Sequence, residues 1–155
     1  MSGVFSAPDI QQRLLTFEVA DSIYAIPIAY IVEVSEVEPL ACIPTLPTEI
    51  AGVMNHHGDA LPVLRPNVVL DVDPTQVGEP AHVLVIAATL TGGARLGLPV
   101  DRVMGLVDGE GAMSRDENPV AERRSLDDRV VFVLDPVRLV ARAKEMIESS
   151  LGRNE

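Results

Sequence analysis

Short apolar runs separated by turn residues dominate the chain. Near its start, Leu15, Phe17 and Val19 alternate with polar or small residues, and a turn at 21–22 leads into a second apolar run at 23–26. Alternation with a period of two is typical of a strand that is buried on one face. This stretch therefore predicts a β-hairpin, with the fold beginning near residue 13 and residues 1–11 forming a loose lead-in.

The next segment, 31–38, interleaves valines with acidic and polar residues. The pattern is typical of a half-exposed strand with one apolar face and one acidic face. Glu33, Glu36 and Glu38 make up the acidic face. We interpret it as a solvated strand face, and the alternative is a surface of complementary charge for a basic partner.

Two further hairpins are predicted downstream. Apolar runs at 50–55 and 60–64 flank a tip that contains Gly58, and runs at 82–88 and 96–107 flank a turn at 91–93. Glycine at a hairpin tip can take the positive φ that a tight turn requires.

The remaining segments are a short helical turn at 67–70, a polar connection at 71–80, a charged surface loop at 108–129 with room for one short strand, and a last strand at 130–134. The polar connection would separate two subdomains.

The C-terminal segment predicts the one clear helix. Asp135 is a favourable N-cap and Pro136 suits the first helical position. Apolar residues then recur at helical spacing, and Gly152 would end the helix. The recurring residues are Leu139, Ala143, Met146, Ile147 and Leu151. Many short strands and one helix predict an all-β fold of the barrel or sandwich type.

Composition narrows the function further. The chain has 155 residues and a net charge of −11, so the phosphate backbone of nucleic acid would repel it. No N-terminal basic segment precedes an apolar run, and no apolar stretch is long enough to cross a bilayer, which predicts a cytoplasmic protein. Cys42 is the single cysteine; its apolar context predicts a buried, unreactive thiol.

Residues that could carry chemistry are few. His56, His57 and Asp59 are the best candidates for a metal or catalytic site. Adjacent residues of an extended chain point to opposite faces, which argues against convergence of the two imidazoles. Asp71 and Asp73 do not continue into a calcium loop. We therefore expect no metal site, no cofactor and no catalytic residue, and interpret the chain as a non-enzymatic protein that binds other proteins.

Four motifs, in order, resemble the CheW-like adaptor domain of bacterial chemotaxis signalling. They are Tyr24-Ala25-Ile26-Pro27 with Ile31-Val32-Glu33-Val34; Ile43-Pro44 with Pro47, Gly52-Val53-Met54-Asn55, Gly58 and Leu61-Pro62-Val63; Gly97-Leu98-Pro99-Val100-Asp101-Arg102-Val103; and Val133-Leu134-Asp135-Pro136 with Leu139. The resemblance spans residues 13–141.

The resemblance implies two small five-stranded SH3-like β-barrels packed together in a domain over 12–141, with the helix end and tail over 142–155. It implies an adaptor that couples a chemoreceptor cytoplasmic tip to the regulatory domain of a CheA-type histidine kinase, clusters with membrane receptor arrays and contacts other CheW-like domains. The receptor-facing candidates are Val32, Glu33 and Val34 with Asn55, His56, His57 and Gly58. Kinase docking would use loops at the ends of the barrels.

The sequence departs from the family pattern in two places, at positions 56–57 and at position 65. His56-His57 replace Leu-Arg, and Arg65 replaces an aspartate. The charge pattern of the docking surface is thereby changed, so we include Arg65 among the protein-binding candidates. Loss of a guanidinium at position 57 predicts partner binding that strengthens below about pH 6.5, as His57 gains charge.

Three alternatives remain open from the sequence. One is a CheW-like scaffold that serves a motility or polarity pathway without direct kinase coupling. Another is an enzyme or metal protein built on His56, His57 and Asp59. The third is a small-molecule sensor with an apolar pocket between the barrels.

Overall fold

A computed structural model describes residues 12–42, 47–70 and 72–153. Within them ten strands form two five-stranded sheets, and a long helix closes the chain. The predicted lead-in at 1–11, the Ile43-Pro44 motif, Asp71 and the packing of Leu151 lie outside the described residues.

Sheet A has the strand order β8-β1-β2-β10-β9, and sheet B has the order β3-β6-β7-β5-β4. The strands are β1 Arg13–Val19, β2 Ser22–Pro27, β3 Ile31–Glu36, β4 Ile50–His56, β5 Asp59–Leu64, β6 His82–Ala87, β7 Ala94–Val100, β8 Arg102–Asp108, β9 Val120–Leu126 and β10 Arg129–Leu134. The helices are α1 Pro66–Val69 and α2 Pro136–Arg153, with short 3-10 turns at Ile28–Tyr30 and Pro74–Gln76. The predicted mostly-β fold of two five-stranded units with a C-terminal helix is confirmed.

The predicted hairpins β1–β2, β4–β5 and β6–β7 are all present as antiparallel pairs. The first two turn through two residues that both have positive φ, which suits the right-handed twist of paired strands. A further hairpin of this kind, β9–β10, turns at Asp127 and Asp128. It occupies the end of the segment 108–129, which the sequence assigned mainly to a loop.

The predicted division of the chain at residues 71–80 is wrong. Sheet B is built from the consecutive strands β3 to β7, whereas sheet A takes β1 and β2 from the start of the chain and β8 to β10 from its end. The run 96–107 is likewise two strands in different sheets, and the chain crosses between them at Asp101. Sheet B is thus an insertion within sheet A.

Sheet B closes partly into a barrel, through one isolated bridge. Its strand order begins with β3 and ends with β4, yet Ala41, which follows β3, exchanges two backbone hydrogen bonds of 2.9 Å with Val53 of β4. Gly52 permits this closure, because a Cβ atom there would lie 2.7 Å from the Cβ of Leu40. Cys42 beside this pairing is exposed, so the prediction of a buried thiol is wrong.

One apolar core lies between the two sheets and the helix. Leu15 and Phe17 of β1, Leu84 and Ile86 of β6, and Leu139 of α2 all belong to it. Each sheet also has a smaller cluster of its own. Because Val83 and Val85 face the sheet B cluster while Leu84 and Ile86 face the shared core, β6 is apolar on both sides, which explains its unbroken apolar sequence.

Helix α2 begins as predicted. The carboxylate of Asp135 accepts hydrogen bonds from the backbone N–H groups of Val137 (3.0 Å) and Arg138 (3.3 Å), as an N-cap does. Leu139, Val140 and Ala143 are buried in the shared core. The helix continues through Gly152 to Arg153, so its predicted end is short by one residue.

Candidate protein-docking surfaces

Strand β3 presents an apolar surface to solvent. Val32 and Val34 are 45% and 40% exposed, whereas Ser35 is buried. A bulge in the pairing with β6, between Ile31 and Glu33, changes the alternation of faces along the strand. The two valines are therefore exposed together with Glu33, and the strand does not divide into a separate apolar face and acidic face at these positions. We call residues 32–34 the β3 edge, since β3 is a terminal strand in the order of sheet B.

The hairpin tip at 55–58 has a defined geometry. His57 and Gly58 take φ values of 51° and 92°, and histidine is among the residues that tolerate this region. The side-chain oxygen of Asn55 accepts a hydrogen bond of 2.9 Å from the backbone N–H of Gly58. Asn55 thus fixes the turn, and the turn determines where the two histidines point.

Both histidines of the tip contact Glu33 of the β3 edge. The Nε2 atoms of His56 and His57 lie 3.0 and 3.3 Å from Oε1 of Glu33, and the two rings meet edge to face. The expectation that the two imidazoles diverge, which assumed an extended chain, does not hold here, because the tight turn reverses the chain at His57. Asp59 is the ladder partner of His56, and the cluster forms with Glu33 in its place.

Arg65 lies apart from this cluster. It follows the far end of β5, about 20 Å from the hairpin tip for a strand of this length. Its Nε donates to the backbone oxygen of Thr48 at 2.7 Å, and its backbone N–H donates to that of Glu49 at 2.9 Å. The structure therefore brings the other seven predicted binding residues together and assigns Arg65 a contact with the chain before β4.

A second surface, the apolar groove, was not predicted. It encloses about 420 Å³ between the 27–30 connection, the 111–114 loop, Leu90 and the start of α2. Leu90 and Val137 are each 48% exposed, and Met113 is 88% exposed. Because its walls come from the end of β2, from loops far apart in the chain and from the helix, only the assembled fold creates it. The isolated apolar Met113 in an otherwise polar loop was the one sequence signal.

The loop wall of the groove is held in place. The backbone N–H of Ser114 donates to Oδ2 of Asp135 at 2.8 Å, and the Ser114 hydroxyl bonds to Asp116. The backbone N–H of Asn118 and the hydroxyl of Ser114 lower the pKa of Asp116 below its usual value. The bond to Asp135 fixes the wall to the start of α2, and the bonds to Asp116 hold the loop itself.

The described helices include none that is long and apolar enough to cross a membrane. Two fused β units with an exposed apolar edge and an open apolar groove define a scaffold that contacts other proteins.

Residues 13–144 match the model of the CheW-like domain family, and the chain therefore belongs to the CheW-like family. A solved structure similar to it is that of the scaffolding protein TtCheW from Thermoanaerobacter tengcongensis, with a TM-score of 0.67 and 19% identity over 80% of this chain and 88% of that one. This likeness supports the fold. No curated protein matches the sequence.

Membership of this family confirms that the chain is a non-catalytic scaffold or adaptor domain. Proteins are accordingly its binding partners. The four motifs that carried the resemblance correspond to β2–β3, β4–β5, β7–β8 and β10–α2.

Proposed function

We propose that the chain is a cytoplasmic adaptor that couples chemoreceptors to a CheA-type histidine kinase. The observation that carries the proposal is the pairing of two separate apolar surfaces on one CheW-like domain. A protein that bridges two partners needs two surfaces that can be occupied at once. Through its contact with the receptors, the adaptor would cluster with them in membrane-associated arrays.

The β3 edge suits a partner that offers extended backbone. An edge strand carries unpaired backbone N–H and C=O groups, and strand addition uses them for affinity while side chains supply specificity. Val32 and Val34 would provide the apolar contact, and Glu33 with the 55–58 tip would provide the polar rim. A second CheW-like domain could add to the array through the same edge.

The apolar groove suits a partner that presents a convex apolar side chain or the apolar face of a helix. Grooves of this size bury an anchoring side chain well away from water. Its formation by the loops at the ends of the two sheets agrees with the expectation that loops carry one of the two docking sites. Arg138 on the groove's rim supplies a positive charge for an acidic partner.

Such an adaptor forms and breaks no covalent bond in its partners. It would hold kinase and receptor in one complex, so that a change of receptor conformation shifts the activity equilibrium of the kinase. The coupling requires that both partners bind at the same time.

The test is calorimetry of the full chain with a CheA-type regulatory domain and with a receptor cytoplasmic tip. We expect each to bind with a Kd on the order of 1 µM. Val34→Glu places a charge on the β3 edge, and Val137→Glu places one in the groove. Val130→Glu is a matched control, since Val130 of β10 is similarly exposed at 42% and lies outside both surfaces.

We expect each surface variant to weaken the binding of one partner at least about ten-fold and to leave the other partner's binding unchanged, because burial of an unpaired charge is costly. Val130→Glu should bind both partners normally. If the unaltered chain binds neither partner, the coupling role is wrong and the scaffold serves another pathway.

A further inference from the structure

The cluster of Glu33, His56 and His57 has the composition of a transition-metal site. It contains two imidazole nitrogens and one carboxylate oxygen, all within 4.8 Å of one another. Imidazole and carboxylate are ligands that zinc takes in proteins, and three protein ligands leave a fourth position open. The sequence argument against metal binding assumed that the two histidine side chains point to opposite faces. The turn at 57–58 makes them converge, so that argument no longer applies.

The distances fit a bound ion. Four tetrahedral ligands about 2.0–2.1 Å from zinc lie about 3.3 Å from one another. Oε1 of Glu33 lies 3.0 Å from Nε2 of His56 and 3.3 Å from Nε2 of His57. The two Nε2 atoms lie within 4.8 Å of each other, so a bound ion would need the imidazoles to approach the tetrahedral separation and would replace their contacts with the shared carboxylate oxygen.

The fold also holds the turn of the site in place and leaves the site accessible to solvent. Asn55 fixes the turn through its bond to Gly58, and His56 is largely buried, with a side chain 11% exposed. The side chain of His57 is 77% exposed, so an ion can enter from solvent. The net charge of −11 favours the approach of a cation.

We propose that Glu33, His56 and His57 bind a zinc ion through Oε1 and the two Nε2 atoms, with the fourth position open on the β3 edge. The ion would join β3 to the tip of the β4–β5 hairpin and so tie together the two terminal strands of sheet B. The proposal stands independently of the partners, because zinc binding is a property of the isolated chain.

The test is titration of the metal-free full chain with zinc chloride, followed by calorimetry and by thermal unfolding. We expect one zinc ion per chain and a rise in Tm at excess zinc, since a ligand that binds the folded state stabilises it. Magnesium should give neither effect, because it prefers a set of oxygen ligands.

Three substitutions remove one ligand each with little change of backbone. They are Glu33→Gln, His56→Gln and His57→Asn, and asparagine tolerates the positive φ at position 57. We expect each to weaken zinc binding at least ten-fold. Asp59→Asn is the matched control and should leave the affinity unchanged. Circular dichroism checks that every variant is folded.

Absence of zinc binding by the folded, unaltered chain overturns the proposal. So does zinc binding that survives both Glu33→Gln and His57→Asn. In either case the adaptor role is untouched, because calorimetry with the protein partners tests it separately.

Discussion

At the scale of single residues, two aspartates form hydrogen bonds that connect separate elements of the fold. Asp101 lies where the chain passes from sheet B to sheet A, and its Oδ2 accepts hydrogen bonds from Ala20 (2.9 Å) and Gly78 (3.3 Å). Asp135 caps α2 and also accepts from Ser114. Both aspartates belong to the motifs that resemble the CheW-like family. Their hydrogen bonds indicate that these motif residues stabilise the fold.

Asp135→Ala should lower the free energy of unfolding by about 2–3 kcal/mol. The substitution removes the helix cap and leaves the buried N–H of Ser114 without its partner. Urea denaturation measures the effect. Asp135→Asn keeps an oxygen for the cap and should recover part of the loss, whereas a change below about 0.5 kcal/mol for alanine would contradict this role.

Three exposed carboxyls predict loss of stability in acid. Hydrogen bonds from Thr75 lower the pKa of Asp73, those from Asn118 and Ser114 lower that of Asp116, and the one from Arg124 lowers that of Glu122. Since folding favours their charged forms, the stabilisation is present above the ordinary values of 3.8 and 4.5 and is lost as pH falls through the lowered folded values.

We therefore expect Tm to fall between about pH 5 and pH 2, with a shallower fall in a chain that carries Asp73→Asn, Asp116→Asn and Glu122→Gln. Thermal unfolding at several pH values measures both curves. Parallel curves for the two chains would show that these carboxyls do not contribute.

At the scale of elements, the closure of sheet B determines how the β3 edge lies against the 55–58 hairpin tip. The Ala41–Val53 pairing and the contact of Glu33 with His56 join the two terminal strands of the sheet. Gly52 lies under Leu40 at this joint. The joint therefore depends on the absence of a side chain at position 52.

Gly52→Ala should destabilise the fold by about 1–3 kcal/mol, because the added methyl group overlaps Leu40 and the backbone oxygen of Ala41. Gly93→Ala is the control, since a Cβ there meets no atom within 4 Å, and it should be nearly neutral. Chemical denaturation compares the two. Equal stabilities for the two variants would mean that Leu40 moves aside without cost.

The hairpins were predictable from the sequence because their pairing is local. The turns at 20–21 and 57–58 join neighbouring strands, and alternation and turn residues report such pairs directly. Sheet membership was not predictable, because β1 pairs with β8 across more than eighty residues and no local pattern encodes that choice. The long run at 96–107 could not reveal that its halves join different sheets.

The candidate site likewise has features that the sequence predicted and features that it did not. The resemblance grouped the β3 edge with the 55–58 tip as docking candidates, and the structure brings the two segments into contact. The outward turn of Val32 and Val34 depends on a bulge, and the convergence of His56 and His57 depends on positive φ, neither of which alternation encodes. The groove was missed because its walls come from segments far apart in the chain.

At the scale of the whole molecule, the two sheets and α2 share one core, so the fold presents its surfaces in a fixed relation. The β3 edge belongs to sheet B, whereas the apolar groove is lined by the end of β2, by the loop after β6, by the 111–114 loop and by the helix. A partner in the groove thus contacts the junction of the two units. Separate surfaces on a single packed body are what a bridge between two proteins requires.

The most direct test of the adaptor role is simultaneous occupancy, measured by sedimentation velocity of the chain mixed with a CheA-type regulatory domain and a receptor cytoplasmic tip. We expect one faster-sedimenting species that contains all three proteins, and we expect Val34→Glu and Val137→Glu each to reduce it to a two-protein complex. Displacement of one partner by the other, or sedimentation of the chain alone, would contradict the proposal that this protein couples a receptor to a kinase.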